Sequence, residues 1–143
     1  MITEALTFFT PTTEEGEGAY FFDTGISCGF PSPAEDFKQQ RISLDRELIK
    51  NKEATFFARV SGQSMIDAGL DDNDLLVIDR SIAPEHNKIA VCFIDGEFTV
   101  KRLQIENGTV WLKPENANYD PIQITSENNF LIWGIVTNVI KRV

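Results

Sequence analysis

The sequence predicts a mainly β protein. It would be one small curved sheet, or partly open barrel, with short helices and an extended N-terminal arm. Three observations carry this expectation. From residue 54 onward, short runs rich in β-branched and aromatic residues alternate with turn residues. Two turn dipeptides, Asp95-Gly96 and Asn107-Gly108, each join two such runs. Before them, the charge character changes near Cys28. Residues 1–28 hold five acidic residues and no Lys or Arg, whereas the rest holds 17 acidic and 13 basic residues.

The elements follow in order. Residues 1–28 carry Gly16, Gly18 and Gly25 and two apolar clusters, Phe8–Phe9 and Tyr20–Phe22. Such a stretch reads as an irregular or extended arm that docks on something through its aromatic spots, in contrast to a plain frayed terminus. In "CGFPSPAEDFKQQR", Pro31 and Pro33 disfavour helix at the residues before them. Ser32-Pro33-Ala34-Glu35 has capping-box spacing with proline at the first helical position, which allows a short helix after 33. A second short helix is expected over 44–50, capped by Ser43, with Leu44 and Leu48 on one face. The strands are then "TFFARV", "LLVID", "KIAVCFI", "EFTVKRL", "TVWLK", "IQI" and "FLIWGIVTNVI". The expected division is an arm over 1–40 and a β domain over 41–143.

Composition limits the function. The 143 residues suffice for one domain with an arm, and 42% hydrophobic with 24% charged residues is a globular composition. A net charge of −9 opposes binding to nucleic acid phosphates, and "VKRL" is too short to be a basic footprint. The acidic balance fits a protein that meets other proteins. Cys28 and Cys92 read as free thiols in a reducing cytoplasm. The N-terminal residues read as neither signal peptide nor membrane anchor, and no apolar run nears the roughly 20 residues that span a bilayer.

The chemistry centres on "RVSGQSMIDAGLDDNDLLVID", which places Ser64 at the exit of a glycine turn. A Ser-His-Asp triad needs a histidine, and His86, alone in its type, lies in a polar turn. One histidine and two separated cysteines offer no metal-ligand spacing, so no metal or cofactor is expected. Lysine remains. A neutral amine takes a serine proton if burial lowers its pKa. Lys101 sits in the second strand of the Asp95-Gly96 hairpin, where alternation puts Thr99, Lys101 and Leu103 on one face. Gly62 lets the backbone bend, and the amides of Gln63 and Ser64 are candidates to hold an oxyanion. Met65 would fill apolar space beneath the serine. The bland readings are a turn serine and a solvated lysine.

Three blocks together, "CGFPSP", "SGQSMIDAGLDDNDLLVID" and "DGEFTVKRL", in this order and at these separations, closely resemble the UmuD-type members of the LexA/UmuD family of Ser-Lys autopeptidases. The resemblance covers residues from about Cys28 to the C-terminus. It implies a fold like the LexA C-terminal domain. It implies Ser64 as nucleophile, Lys101 as general base, and Cys28-Gly29 as the bond the protein cuts in itself. Gln63 stands where other members often carry Asp or Met, and only its amide is needed. The 28 residues before the cut are too few and too acidic for a DNA-binding domain. It further implies a role in the SOS response. A RecA–single-stranded DNA filament would stimulate cleavage, and the shortened product would form a homodimer serving a UmuC-like Y-family translesion polymerase.

Physically, the cut segment suits an extended pose, since Gly25 and Gly29 allow close backbone approach. Ser64 lies 36 residues beyond Cys28, a length compatible with cutting the same chain or a partner. Rival readings are a non-catalytic polymerase-binding β module, a signal peptidase, which a missing membrane segment opposes, and a LexA-like repressor fragment.

Overall fold

The computed structural model describes residues 5–12, 19–22 and 39–143. The short helix expected after 33 and the Cys28-Gly29 bond lie outside the described residues. The chain divides into two compact units, residues 1–11 with 51–143, and residues 12–50.

In the larger unit the strands are β1 (Ala5–Phe9), β4 (Thr55–Ser61), β5 (Leu75–Asp79), β6 (Ile89–Ile94), β7 (Glu97–Glu106), β8 (Thr109–Lys113), β9 (Ile122–Gln123) and β10 (Phe130–Ile140). They form one eight-stranded sheet in the order β1-β4-β5-β10-β6-β7-β8-β9, with antiparallel pairing throughout. The sheet curls. The ring of Phe8 on β1, at one edge, stands 5.0 Å from that of Phe98 on β7, five places along the sheet order. This is the partly open barrel the sequence predicts.

Both dipeptide turns take the backbone that two-residue hairpins need. Asp95 and Gly96 have φ of 48° and 91°, and Asn107 and Gly108 have 51° and 76°. Positive φ at both positions matches the turn to the right-handed twist of the flanking strands. The hairpin sets the register of β6 on β7, with Ala90 opposite Lys101 and Cys92 opposite Thr99.

Alternation then sorts the side chains. Val91 and Val100 join Ala58, Val60, Met65, Leu70, Leu76 and Ile78 in one core cluster. Ala90, Cys92, Leu103, Leu112 and Ile135 make a second. Strand β10 passes between β5 and β6 with a register shift on each side, at Ile132/Gly134 and at Val136/Asn138. At Gly134 the approach is close, because a Cβ there would stand 2.6 Å from Cγ2 of buried Ile78. Beside it, Arg80 donates to the carbonyl of Trp133 at 2.9 Å and lies 4.5 Å from the Trp133 ring.

The smaller unit holds β2 (Ala19–Phe22) paired antiparallel with β3 (Gln39–Ile42), and helix α1 (Leu44–Leu48). Ser43 caps α1, its side chain accepting from the Arg46 N–H. The helix ends two residues short of the expected 50, with Ile49 in extended backbone. The sequence reading placed no strand at 5–9, 19–22 or 39–42. β1 exists because it pairs residue for residue with β4, from Ala5 opposite Ser61 to Phe9 opposite Phe57. Such long-range pairing leaves little local signal.

Candidate active site

Ser64 is placed by the turn that leaves β4. Gly62 has φ of 126°, a conformation that side chains rarely adopt. Its N–H donates to the Asp72 carboxylate at 3.1 Å. Two backbone bonds, Val60 N–H to Asp74 at 2.9 Å and Asn73 N–H to Val60 at 2.8 Å, tie the end of β4 to the acidic loop before β5. Beyond Ser64 a 3-10 turn over Ile66–Ala68 closes on Gly69, whose φ is 81°. Met65 is 3% exposed and sits in the first core cluster, with the Glu115 nitrogen 3.3 Å from its sulfur.

Lys101 is placed by β7. Its neighbours on the same face are Thr99 and Leu103, and Ala90 stands across from it. The side chain is 6% exposed and Ser64 is 1% exposed. The Lys101 Nζ lies 2.9 Å from Ser64 Oγ, 2.6 Å from Thr99 Oγ1 and 3.1 Å from the Val100 carbonyl. The two residues the sequence singled out for chemistry are therefore in hydrogen-bond contact, though they are 37 positions apart.

This geometry has a chemical meaning. Lys101 Nζ donates to Ser64 Oγ, to Thr99 Oγ1 and to the Val100 carbonyl. The arrangement meets the first requirement of a general base, hydrogen-bond reach of the proton it removes. Thr99 is the contact that sequence reasoning did not assign. Its signal was present, since it shares the Lys101 face two residues earlier.

Cys92 lies across the ladder from Thr99, fully buried as a free thiol. Burial pushes its pKa up to about 12, against a smaller downward pull from the Lys101 charge. His86 takes no part at the serine. It is an exposed loop residue whose Nδ1 accepts the Ile105 N–H at 3.0 Å. Among the described residues there is no group of three or more His, Cys, Asp or Glu side chains fit to hold a metal ion. Among them, too, no helix is long and apolar enough to cross a membrane.

The serine turn is also gripped from the loop after β8. The Asp67 N–H donates to the Glu115 carbonyl at 2.8 Å, and Asn116 Nδ2 donates to the Gln63 carbonyl at 2.8 Å. The Glu115 carboxylate pairs with Arg102, next to Lys101, at 2.5 Å. These partners were not legible in the sequence, because a loop between strands carries no periodicity.

A buried serine–lysine contact on a curled antiparallel sheet defines a class, the serine peptidases that work without histidine. The chain belongs to the Peptidase S24-like family, whose model matches residues 21–137. It is 40% identical over 144 residues to Protein ImpA of Salmonella typhimurium, covering 94% of each chain. It is 41% identical over 119 residues to Protein MucA of Escherichia coli, covering 82% of this chain and 81% of that one. A LexA repressor from Streptomyces clavuligerus is 39% identical over 118 residues, which is 82% of this chain and 48% of the repressor. The resemblance to the LexA/UmuD family holds, and the enzyme is a serine autopeptidase.

Proposed function

We propose that the chain cuts its own Cys28-Gly29 bond, with Ser64 as nucleophile and Lys101 as general base. One observation carries the reading, the 2.9 Å contact between two buried groups, Lys101 Nζ and Ser64 Oγ.

The step is ordinary acyl transfer. Neutral Lys101 takes the Ser64 proton as Oγ bonds to the Cys28 carbonyl carbon. The backbone amides of Gln63 and Ser64 receive the oxyanion. The Cys28–Gly29 C–N bond then breaks, and Lys101 passes its proton to the Gly29 nitrogen. Water, deprotonated by Lys101, attacks the acyl–Ser64 ester; the ester C–O bond breaks, Lys101 returns the proton to Ser64 Oγ, and a Cys28 carboxylate and free Ser64 are left. The N-terminal segment around Cys28 supplies the bond, and the sheet that carries Ser64 and Lys101 supplies the machinery.

The wider role comes from family likeness. Cleavage belongs to the SOS response and is stimulated by a RecA–single-stranded DNA filament, which favours the docked arm. The shortened homodimer serves a UmuC-like Y-family polymerase in the cytoplasm. The acidic charge of −9 supports protein partners over direct DNA binding.

Intact-mass measurement during alkaline incubation tests the reaction. The expected result is loss of residues 1–28 from the wild type and an intact chain for Ser64→Ala. Cleavage of Ser64→Ala at the wild-type rate would sink the proposal.

A further inference from the structure

The peptide group joining Gln63 to Ser64 is held at its carbonyl end. The Gln63 oxygen accepts Asn116 Nδ2 at 2.8 Å and, more weakly, the Ile66 N–H at 3.2 Å. In a trans peptide, the carbonyl and the N–H of the next residue point in opposite directions. No cis peptide occurs among the described residues. Whatever fixes the Gln63 oxygen therefore fixes the direction of the Ser64 N–H.

Asn116 is itself held. Its Oδ1 accepts the Asn118 N–H at 3.0 Å, which leaves the amide nitrogen facing Gln63. The residue before it, Glu115, is anchored twice more. Its carboxylate pairs with Arg102 of β7, and its carbonyl accepts the Asp67 N–H. The loop thus spans from the strand that carries the lysine to the turn that carries the serine.

We propose that Asn116 is a positioning residue for self-cleavage. It locks the Gln63–Ser64 peptide so that the Ser64 N–H, and not the Gln63 carbonyl, faces the oxyanion. The inference rests on the acyl-transfer reading above. If the peptide rotated by half a turn, it would exchange a donor for an acceptor where negative charge develops. Loss of one such donor typically costs about 10²–10³ in rate.

The test compares Asn116→Ala with Asn116→Asp. Aspartate keeps the size of the residue and an oxygen for the Asn118 N–H, but turns an acceptor toward the Gln63 oxygen. Asn116→Ala should cleave about tenfold slower than wild type and Asn116→Asp about a hundredfold slower. A purely structural role predicts the reverse order, since aspartate preserves shape and alanine does not. Asn118→Ala, which keeps its backbone N–H, should stay within about twofold of wild type on the same grounds.

Rates are read as first-order loss of full-length mass, beside urea unfolding midpoints. Asn116→Asp cleaving as fast as Asn116→Ala, or faster, overturns the proposal. Failure of the wild type to cleave would count against acyl transfer itself. A second readout then decides the positioning role. In 15N-labelled protein the Ser64 amide resonance must move in Asn116→Asp, and an unmoved resonance refutes the lock.

Discussion

Replacing Lys101 by methionine separates the amine from the stem that carries it. Met fills nearly the same volume, and volume-conserving swaps in a core usually cost less than about 1.5 kcal/mol. Three hydrogen bonds go, to Ser64, Thr99 and Val100. Each contributes on the order of 1 kcal/mol net. Against this, the cost of burying an ionisable group disappears, and that is several kcal/mol when the group is charged. The terms oppose each other, so the expected stability change is within about 2 kcal/mol of zero. The rate has no such offset. On the role proposed above for Lys101, removing the general base costs about 10²–10⁴ in rate, or about 3–5 kcal/mol in the barrier. Intact-mass kinetics and urea midpoints on the same samples separate the two effects. The reasoning fails if Lys101→Met cleaves within about threefold of wild type.

Two further outcomes follow from the packing. The Cys92 thiol is raised from 9.0 to about 12 in the folded chain. Above pH 9 the unfolded chain ionises this thiol while the folded chain holds it neutral, so stability falls as pH rises. The slope from this group is about 1.4 kcal/mol per pH unit, ending near the folded value. Urea midpoints between pH 8 and 11 should fall less steeply in Cys92→Ala than in wild type, and equal slopes would contradict the assignment. Phe8 packs its ring 5.0 Å from Phe98 and 4.8 Å from Trp133. Phe8→Ala should lower stability by about 1–3 kcal/mol and shift Trp133 emission to the red. An unchanged midpoint and spectrum would mean that β1 contributes little to the sheet edge.

Much of the architecture was legible. Seven strand runs from residue 55 onward appear as β4 to β10 with ends moved by a few residues. Asp-Gly and Asn-Gly announce their hairpins because few other pairs accept positive φ twice in succession. Ser43 announces α1 through its side-chain oxygen. Counting in twos along β7 put Lys101 on one face with Thr99 and Leu103. Strand β1 was missed because its partner β4 lies far along the chain, and β2 and β3, which pair with each other, were missed as well. Asn116 was missed because its role is a single directed contact to a carbonyl 53 residues away.

Local structure was written into the residues themselves: which runs extend, where the chain reverses, and that a serine follows a glycine turn while a lysine lies on a strand. The family blocks added their pairing. Tertiary folding alone decided that the curled sheet brings amine and hydroxyl to 2.9 Å. It also decided that Thr99 takes one of the amine's bonds, and that a loop after β8 holds the serine turn. The physical reason is range. Backbone preference acts over a few residues, whereas a distance across 37 positions exists only after register, curl and packing have been set together.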